Sequence, residues 1–386
     1  MLPPIYRIPA SGIRECRIKG SDAVMIDTSR TLGQKIREVL DEPDKMSYSP
    51  INRFHDALKG KPRDRVPLFP MTAGWAAANF SDAPQSKLAS DARLIVQAQI
   101  RARESAGYDP FFAYANALYI PGAFGCQVRF LSTGPVSDPL PFTFGAVEDI
   151  ERIHVPDIRD NPKLTLILEV VEGLSSYGKG EIPVLGAFEG AFTTACRIFD
   201  ADVILRLVLK KRPILEALLD KLNDFLLDFG KALIEKGANV LFIPDPTASA
   251  SMISPRMFRE LVLPRLRALL GGLRVPCILH ICGDTSITLD AMAETGFHVL
   301  SLDQCMDLGE ARRRLPGVVL GGNVDPIKSL LMGSRQQVVD DTLNGLRSAG
   351  TTKYVLMTGC GVPPHASLEN VKAMIETAVE YGLGSD

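Results

Sequence analysis

Residues 276–284 have the sequence Pro-Cys-Ile-Leu-His-Ile-Cys-Gly-Asp, in which a short apolar run is followed at once by polar residues. Continuously apolar runs of this length are typical of parallel strands that are buried on both faces. The chain has eight segments of this kind, and we predict strands over 66–70, 110–116, 182–188, 239–244, 276–281, 299–303, 318–322 and 354–358. The longer stretches between them carry apolar residues at helical spacing, which favours repeated βα units.

Eight parallel strands that are each followed by a helix can close on themselves, so the predicted fold class is α/β with a single (β/α)8 TIM barrel. We expect an N-terminal extension over residues 1–49 and a barrel catalytic domain over residues 50–386. The stretch 128–144, which contains several glycines and prolines, predicts a hairpin inserted after strand 2. A doubly wound open sheet is the alternative, but no glycine-rich phosphate loop follows the first predicted strand.

The composition excludes several classes of protein. The chain has 386 residues with 43 basic and 45 acidic side chains, so its formal net charge is −2. This balance argues against a dedicated nucleic-acid-binding protein, which usually has a clear excess of basic residues. The seven cysteines are an odd number, and the sequence shows no signal peptide and no apolar run of 18 residues. We therefore expect a cytoplasmic protein with reduced thiols and no membrane span.

The polar residues at the ends of the predicted strands include three potential metal ligands. His280 and Cys282 end the fifth strand, and residues two apart on an extended segment point to the same side. Cys360 follows the eighth strand, and the carboxyl ends of barrel strands meet at one face. One imidazole and two thiolates suit Zn²⁺ with a fourth position left open, which is typical of catalytic zinc. The alternative is that these cysteines are simply small buried residues.

The motifs around these ligands resemble those of one protein family. The stretches that carry the resemblance are H-I-C-G-D-T-S (280–286), L-D-Q (302–304), G-G-N-V-D-P (321–326), G-C-G-V-P-P (359–364) and S-L-E-N (367–370). Together they resemble the uroporphyrinogen decarboxylase superfamily, and more closely its zinc-dependent corrinoid methyltransferases, which include methylcobamide:coenzyme M methyltransferases. The resemblance covers about residues 50–383 and is strongest after Gly180. It implies a (β/α)8 barrel with a His-x-Cys…Cys zinc site.

The resemblance also implies roles for individual residues. His280, Cys282 and Cys360 match the zinc ligands of the family. Asp303 matches the place where an acidic side chain can complete the ligand shell, and Glu189 is the only charged residue in the cavity-lining stretch 186–193. Asp303 and Glu189 are therefore the candidate catalytic residues. At other strand ends, the candidate substrate-binding residues are Met71 (directly after Pro70), Asn116, Asp245 and Asn323.

The decarboxylase itself, a metal-free lyase, is the alternative function. Its first strand is followed by arginines that hold substrate carboxylates, whereas here no arginine lies between Arg65 and Arg93. Asn116 stands where the decarboxylase has an essential aspartate, and an amide cannot supply that negative charge. The sequence therefore disfavours porphyrinogen decarboxylation. A non-catalytic zinc protein with a closed four-ligand shell is a further alternative.

The predicted function is methyl transfer between a small molecule and a corrinoid. Zinc could activate a thiol that accepts the methyl group, or it could polarise an O-methyl donor such as an aryl methyl ether for O-demethylation. The chain has no D-x-H-x-x-G cobamide motif, so we expect the cobamide to be carried by a separate small corrinoid protein. A sulfonated thiol would need a cation in the cavity, and the loop after the first strand offers none. The aromatic residues nearby favour an apolar or aromatic donor unless they are ordinary core residues: Phe69, Trp75, Phe80, Phe111, Phe112, Tyr114 and Tyr119.

Overall fold

The computed structural model describes residues 48–61, 63–114, 118–131 and 134–383. Its core is a curled parallel sheet of seven strands in the order β1-β4-β5-β6-β7-β8-β9, and β2 and β3 form a separate antiparallel pair. The strands are β1 Phe111–Phe112, β2 Gln127–Leu131, β3 Gly134–Asp138, β4 Val184–Ala187, β5 Val240–Pro244, β6 Cys277–Ile281, β7 Val299–Leu302, β8 Leu320–Val324 and β9 Tyr354–Thr358.

Helices connect the strands of the sheet, as repeated βα units require. None of the described helices is long and apolar enough to cross a membrane. The helices are α1 Pro50–Lys59, α2 Ala73–Asn79, α3 Gln85–Leu88, α4 Ala92–Ala106, α5 Tyr119–Ala123, α6 Pro162–Gly178, α7 Ala191–Phe199, α8 Ala201–Lys210, α9 Arg212–Glu235, α10 Pro255–Met257, α11 Leu263–Gly272, α12 Leu289–Glu294, α13 Leu308–Arg314, α14 Arg335–Ala349 and α15 Leu368–Leu383. Shorter 3₁₀ turns (Val147–Arg152, Pro246–Ala248) and π turns (Phe258–Val262, Pro326–Leu331) lie between them.

The prediction of a complete strand over residues 66–70 is wrong. Only a single parallel bridge forms, between Leu68 and Leu356 of β9. The prolines at both ends of the segment explain this, because Pro67 and Pro70 have no N–H to donate to a ladder. The segment nevertheless joins the two edges of the sheet. Phe69 N donates to Leu356 O on one side, and Asp109 N donates to Leu68 O on the other.

Two other predicted strands differ from the observed ones in their bounds. The prediction over 110–116 is too long, because β1 has only two residues; Ala113 N adds one further hydrogen bond, to Leu185 O. The prediction over 318–322 is two residues early. Val318 N donates to Leu315 O in the turn that ends α13, so the chain becomes extended only afterwards.

The insertion and the helix starts agree with the sequence prediction. The hairpin after the second predicted strand is confirmed by the register of β2 and β3, which pairs Gln127 with Asp138. Asp91 caps α4, and Ser334 and Gln337 form the capping box of α14. The helix α1 begins at Pro50, after its cap Ser49, where the barrel domain was expected to start. Residues 1–47 of the expected extension lie outside the described residues.

The interior of the curled sheet is filled by apolar side chains. This inner cluster consists of Phe54, Phe69, Met71, Ala73, Phe112, Leu185, Ala187, Val240, Phe242, Ile278, Val299, Val319, Val355 and Met357. Phe69 and Phe112 are fully buried in it, and Phe111 and Trp75 are fully buried in the layer between sheet and helices. For these four rings, the interpretation as ordinary core is confirmed.

A buried carboxylate ties the amino-terminal end of the sheet together. Asp109, which precedes β1, is 1% exposed and accepts hydrogen bonds from Arg65, from Arg53 and from the backbone N–H of Leu68. Burial alone would raise the pKa of Asp109, but the two guanidinium groups and the amide outweigh burial and lower it. Asp109 therefore links α1, the segment around Leu68 and β1.

We expect Asp109→Asn to lower the free energy of unfolding by about 3–5 kcal/mol, because it leaves two guanidinium groups without their buried anion. Urea denaturation at pH 7 measures the change. Since the folded-state pKa of Asp109 lies below its unfolded value, its contribution is present above about pH 4 and is lost as the pH falls through the folded-state pKa.

The control is Asp138→Asn, which breaks an exposed pair with Arg129 and should leave the urea midpoint unchanged. Equal effects of the two substitutions would contradict the structural role of Asp109.

Candidate metal centre

Two of the predicted metal ligands lie at the end of β6. His280 is the fourth residue of this five-residue strand and is 2% exposed, and Cys282 follows the strand directly. The two side chains lie on the same side, as the extended backbone requires, and His280 Nε2 is 3.2 Å from Cys282 Sγ.

The third predicted ligand arrives from the end of β9. Cys360 Sγ lies 3.7 Å from Cys282 Sγ, and one ligand atom from each of the three residues lies within 4.8 Å of the others. Over the part of the chain that the structure describes, this is the one group of three or more such side chains that could hold a metal ion. The sequence prediction that these three residues converge agrees with this geometry.

The donor set fits a zinc ion. Tetrahedral zinc with Zn–S bonds of about 2.3 Å holds two sulfurs roughly 3.8 Å apart, and the observed Sγ–Sγ distance is 3.7 Å. Two sulfurs and one imidazole nitrogen are soft or borderline ligands that favour zinc over magnesium or calcium. The three residues would leave one coordination position free for a further ligand.

Ser301 orients the imidazole of His280. His280 pairs with Ser301 of β7 in the parallel register, and its Nδ1 is 3.1 Å from Ser301 Oγ and 3.3 Å from Ser301 O. This engagement of Nδ1 leaves Nε2 facing the sulfurs. Sequence reasoning missed Ser301, although a serine inside an otherwise apolar strand next to the histidine strand was a usable signal.

The two thiols have opposite pKa shifts. Hydrogen bonding from Cys282 and from His280 lowers the pKa of Cys360. The pKa of Cys282 is raised, first because it is hydrogen-bonded to Cys360 and then because it is buried. Cys360 is therefore the thiol that loses its proton more readily, because a neighbouring thiol and an imidazole stabilise its thiolate.

Asp303 lies beside the ligands but is engaged with the backbone. Its Oδ2 accepts a 2.8 Å hydrogen bond from Gly283 N, and its Oδ1 accepts one of 3.0 Å from Cys305 N. The carboxylate is buried and holds the turn that directly follows Cys282. The geometry thus makes Asp303 a positioning residue for the ligand loop, while its predicted role as a fourth ligand stays a prediction.

Glu189 follows β4 and is also buried. Its Oε2 accepts a 2.5 Å hydrogen bond from Arg197 Nε, and burial raises the pKa of Glu189 although Arg197 opposes the shift. The negative charge of Glu189 also contributes, as the smallest of the causes, to the raised pKa of Cys282. Sequence reasoning missed Arg197 because it lies inside α7, away from any strand end.

Asp245 directly follows β5 and is completely buried. Its Oδ1 accepts hydrogen bonds from the N–H and the hydroxyl of Thr193, while its Oδ2 has no hydrogen-bond partner among the described residues. Burial raises the pKa of Asp245 to about 7. A Cβ at position 190 would lie 2.4 Å from Oδ2, so only glycine fits at Gly190. The contact of Asp245 with a substrate stays a prediction.

The other candidate substrate-binding residues have backbone roles or fall outside the described residues. Asn323 Nδ2 donates to Asp303 O and Met306 O, and Asn323 lines a surface groove of about 610 Å³ beside the ends of β7 and β8. Met71 is buried in the inner apolar cluster, and its N–H donates to Thr358 Oγ1. Asn116 lies outside the described residues. Substrate contact by Met71, Asn116 and Asn323 stays a prediction.

Comparison with known proteins identifies the family. The family model Uroporphyrinogen decarboxylase (URO-D) matches residues 49–381, which is most of the chain. The chain belongs to this family. One URO-D relative, the methylcobamide:CoM methyltransferase MtbA of Methanosarcina acetivorans, is 29% identical over 344 residues, which cover 86% of this chain and 98% of the relative.

Decarboxylases are also among the relatives of this chain, beside the methyltransferases. A uroporphyrinogen decarboxylase of Pelobacter propionicus is 25% identical over 343 residues and covers 84% of this chain and 97% of that protein. The solved structure of a methyltransferase from Methanosarcina mazei superposes with a TM-score of 0.80 and 26% identity, over 86% of this chain and 99% of that one. Both activities that the sequence suggested therefore occur among the relatives.

We expect the protein to bind about one Zn²⁺ per chain, and we expect Cys282→Ser and Cys360→Ser to lose tight binding because each removes a soft ligand. Metal analysis after dialysis against a weak chelator measures the content. Cys305→Ser is the control, because Cys305 is exposed and lies outside the ligand group. Zinc retained by both ligand variants would refute the site.

We expect Ser301→Ala to raise the zinc dissociation constant by about 10- to 100-fold, because the imidazole loses the group that fixes its orientation. Competition with a chromophoric chelator measures the constant. The exposed Ser90, whose hydroxyl donates to Lys87 O, provides the control substitution Ser90→Ala. An unchanged constant in Ser301→Ala would show that His280 is oriented without Ser301.

Proposed function

We propose that this protein is a zinc-dependent methyltransferase that transfers a methyl group from a corrinoid protein to a small thiol. The convergence of His280, Cys282 and Cys360 carries the proposal, since their spacing matches a tetrahedral zinc site with a free position. The similarity to methylcobamide:CoM methyltransferases over nearly their whole length supports the same activity.

We further propose that residues 50–386 form one catalytic (β/α)8 barrel. The segment around Leu68 takes the place of the eighth strand, because it is hydrogen-bonded to β9 on one side and to Asp109 next to β1 on the other. The metal centre then lies at the carboxyl ends of the strands, where barrel enzymes have their active sites.

In this proposal each residue of the centre has a separate task. His280, Cys282 and Cys360 would hold the zinc, which lowers the pKa of a bound thiol and so supplies a thiolate nucleophile near neutral pH. Asp303 keeps Cys282 in place through Gly283 N, and Ser301 keeps His280 Nε2 directed at the site. Glu189, whose buried carboxylate is paired with Arg197, is the residue that we propose takes up the proton that the thiol loses.

The overall reaction balances without an oxidant or reductant. The carbon–cobalt bond of the methylated corrinoid breaks with both electrons left on cobalt, a carbon–sulfur bond forms, and the thiol proton is released. The cobamide belongs to a separate small protein in this proposal, because the chain itself has no D-x-H-x-x-G motif.

Removal of a methyl group from an aryl ether is less well supported. The aromatic rings that favoured it include Phe69, Trp75, Phe111 and Phe112, and all four are fully buried in the core. Decarboxylation of a porphyrinogen is also less well supported. The arginines that hold substrate carboxylates in the decarboxylase follow the first strand, and here no arginine lies between Arg65 and Arg93.

The experiment is a methyl-transfer assay with the zinc-loaded protein, methylcobalamin and a series of small thiols. We expect loss of methylcobalamin absorbance together with formation of the methyl thioether. Cys360→Ser should reduce the rate to that of the uncatalysed reaction, and the matched control Cys305→Ser should retain it.

A parallel assay supplies cob(I)alamin and methoxylated aromatics. Methyl transfer in this assay alone would replace the thiol proposal by O-demethylation. Absence of transfer in both assays, with zinc bound, would contradict the proposed function.

A further inference from the structure

The loop that carries Cys360 is held at both ends by the backbone of one residue, Met71. Met71 N donates to Thr358 Oγ1 at 3.1 Å, and Met71 O accepts a 2.9 Å hydrogen bond from Val362 N. Thr358 lies two residues before Cys360, and Val362 lies two residues after it. The segment that joins the two edges of the sheet therefore also closes the loop that presents one of the candidate metal ligands.

The hydroxyl of Thr358 takes the place of a backbone carbonyl in the ladder with this segment. Phe69 N donates to Leu356 O, so in a continued parallel ladder Met71 N would donate to the carbonyl two residues further along β9. Met71 N donates instead to the Thr358 hydroxyl, which in turn donates to Cys360 O at 2.7 Å. Thr358 is fully buried, where an unmade hydrogen bond is costly. One side chain thus ends β9 and fixes the backbone of Cys360.

The other side of the loop rests against residues of β8 and the turn after β7. Gly359 N donates to Val324 O, the last carbonyl of β8. A Cβ at position 359 would lie 2.3 Å from Gln304 N, so only glycine fits there. The backbone directly before Cys360 is therefore held from both sides.

Helix α2 continues this contact along the chain after Cys360. Trp75 Nε1 donates a 2.8 Å hydrogen bond to Ala366 O, and Asn79 Nδ2 donates one of 2.7 Å to Pro364 O. Trp75 is fully buried and is the only tryptophan of the chain. The loop that carries the ligand is thus bonded to α2 as well as to the segment before it.

We propose that Thr358, together with the segment from Met71 to Asn79, positions Cys360 for metal binding and couples the metal centre to helix α2. This inference rests on the metal centre of the proposed function and adds positioning residues to it. A ligand whose backbone is already fixed loses less conformational freedom when the metal binds, so release of the loop weakens binding. Met71, a candidate substrate-binding residue from the sequence, acts here through its backbone.

The experiment follows Co²⁺ binding, because the thiolate-to-cobalt charge-transfer band and the visible d–d bands report the ligands and their geometry. Thr358→Val removes the hydroxyl and keeps the branched shape of the side chain. We expect its dissociation constants for Co²⁺ and Zn²⁺ to rise by about 10- to 100-fold, with a weaker charge-transfer band. Thr358→Ser retains the hydroxyl and should retain the spectrum and the constants of the wild type.

Thr342→Val is the matched control. Thr342 is also fully buried, but its hydroxyl has no hydrogen-bond partner among the described residues. Its cobalt spectrum and metal affinity should equal those of the wild type. An unchanged spectrum and unchanged constants in Thr358→Val would overturn the proposal. Equal changes in Thr342→Val, or a Thr358→Ser protein that behaves like Thr358→Val, would overturn it as well.

A second measurement needs no substitution at Thr358. Trp75 supplies the single indole N–H signal of the ¹⁵N-labelled protein. We expect zinc to slow the hydrogen exchange of this N–H, because an ordered loop keeps its acceptor Ala366 O in place, and we expect no such change in Cys360→Ser. The same exchange rate with and without zinc would overturn the coupling of the metal centre to α2.

These readouts do not depend on methyl transfer. If the cobalt spectrum depends on the Thr358 hydroxyl but no thiol is methylated, the proposed function fails and the positioning role stands. If methylation occurs while the spectrum does not depend on the hydroxyl, the positioning role fails and the proposed function stands. Absence of a thiolate-to-cobalt band in the wild type would refute both.

Discussion

Strands β6 and β9 are three positions apart in the parallel sheet, and in a flat sheet their ends would be separated by about 14 Å. The sulfurs of Cys282 and Cys360, which follow these two strands, are 3.7 Å apart. The metal centre therefore depends on strong curvature of the sheet. That curvature is maintained where the segment around Leu68 joins the two edges, by hydrogen bonds to Leu356 on β9 and to Asp109 beside β1.

The two ends of the curled sheet have different tasks. The amino-terminal end holds the buried carboxylate of Asp109 between Arg53 and Arg65, and Arg53 is paired with Asp64 as well. The carboxyl-terminal end leaves a buried polar atom unsatisfied, the Oδ2 of Asp245. Unsatisfied polar groups in a buried setting are costly, and proteins retain them mainly where ligands bind.

Most of the fold could be predicted from the sequence because buried parallel strands are short apolar runs with sharp ends. The strand predicted over 276–281 differs by one residue from the observed strand Cys277–Ile281. The run around Leu68 has the same composition but forms a single bridge, because proline at 67 and 70 removes two N–H donors. The strand predicted over 318–322 begins two residues before the observed β8. The N–H of Val318 is bonded to Leu315 O in the turn that ends α13, and the sequence pattern does not show how that helix ends. The spacing of apolar residues does not show whether a backbone N–H will bind a neighbouring strand or a preceding turn.

The sequence by itself determined which residues are the candidate metal ligands, because the alternation of an extended strand places His280 and Cys282 on one side, and glycines mark Cys360 at another strand end. Only the tertiary structure decided the distances among these ligands and revealed the groups around them. Ser301 reaches His280 through the register of two strands, and Arg197 reaches Glu189 from the interior of a helix. Both relations join residues that are linked by packing rather than by a sequence pattern, so no spacing along the chain could have shown them.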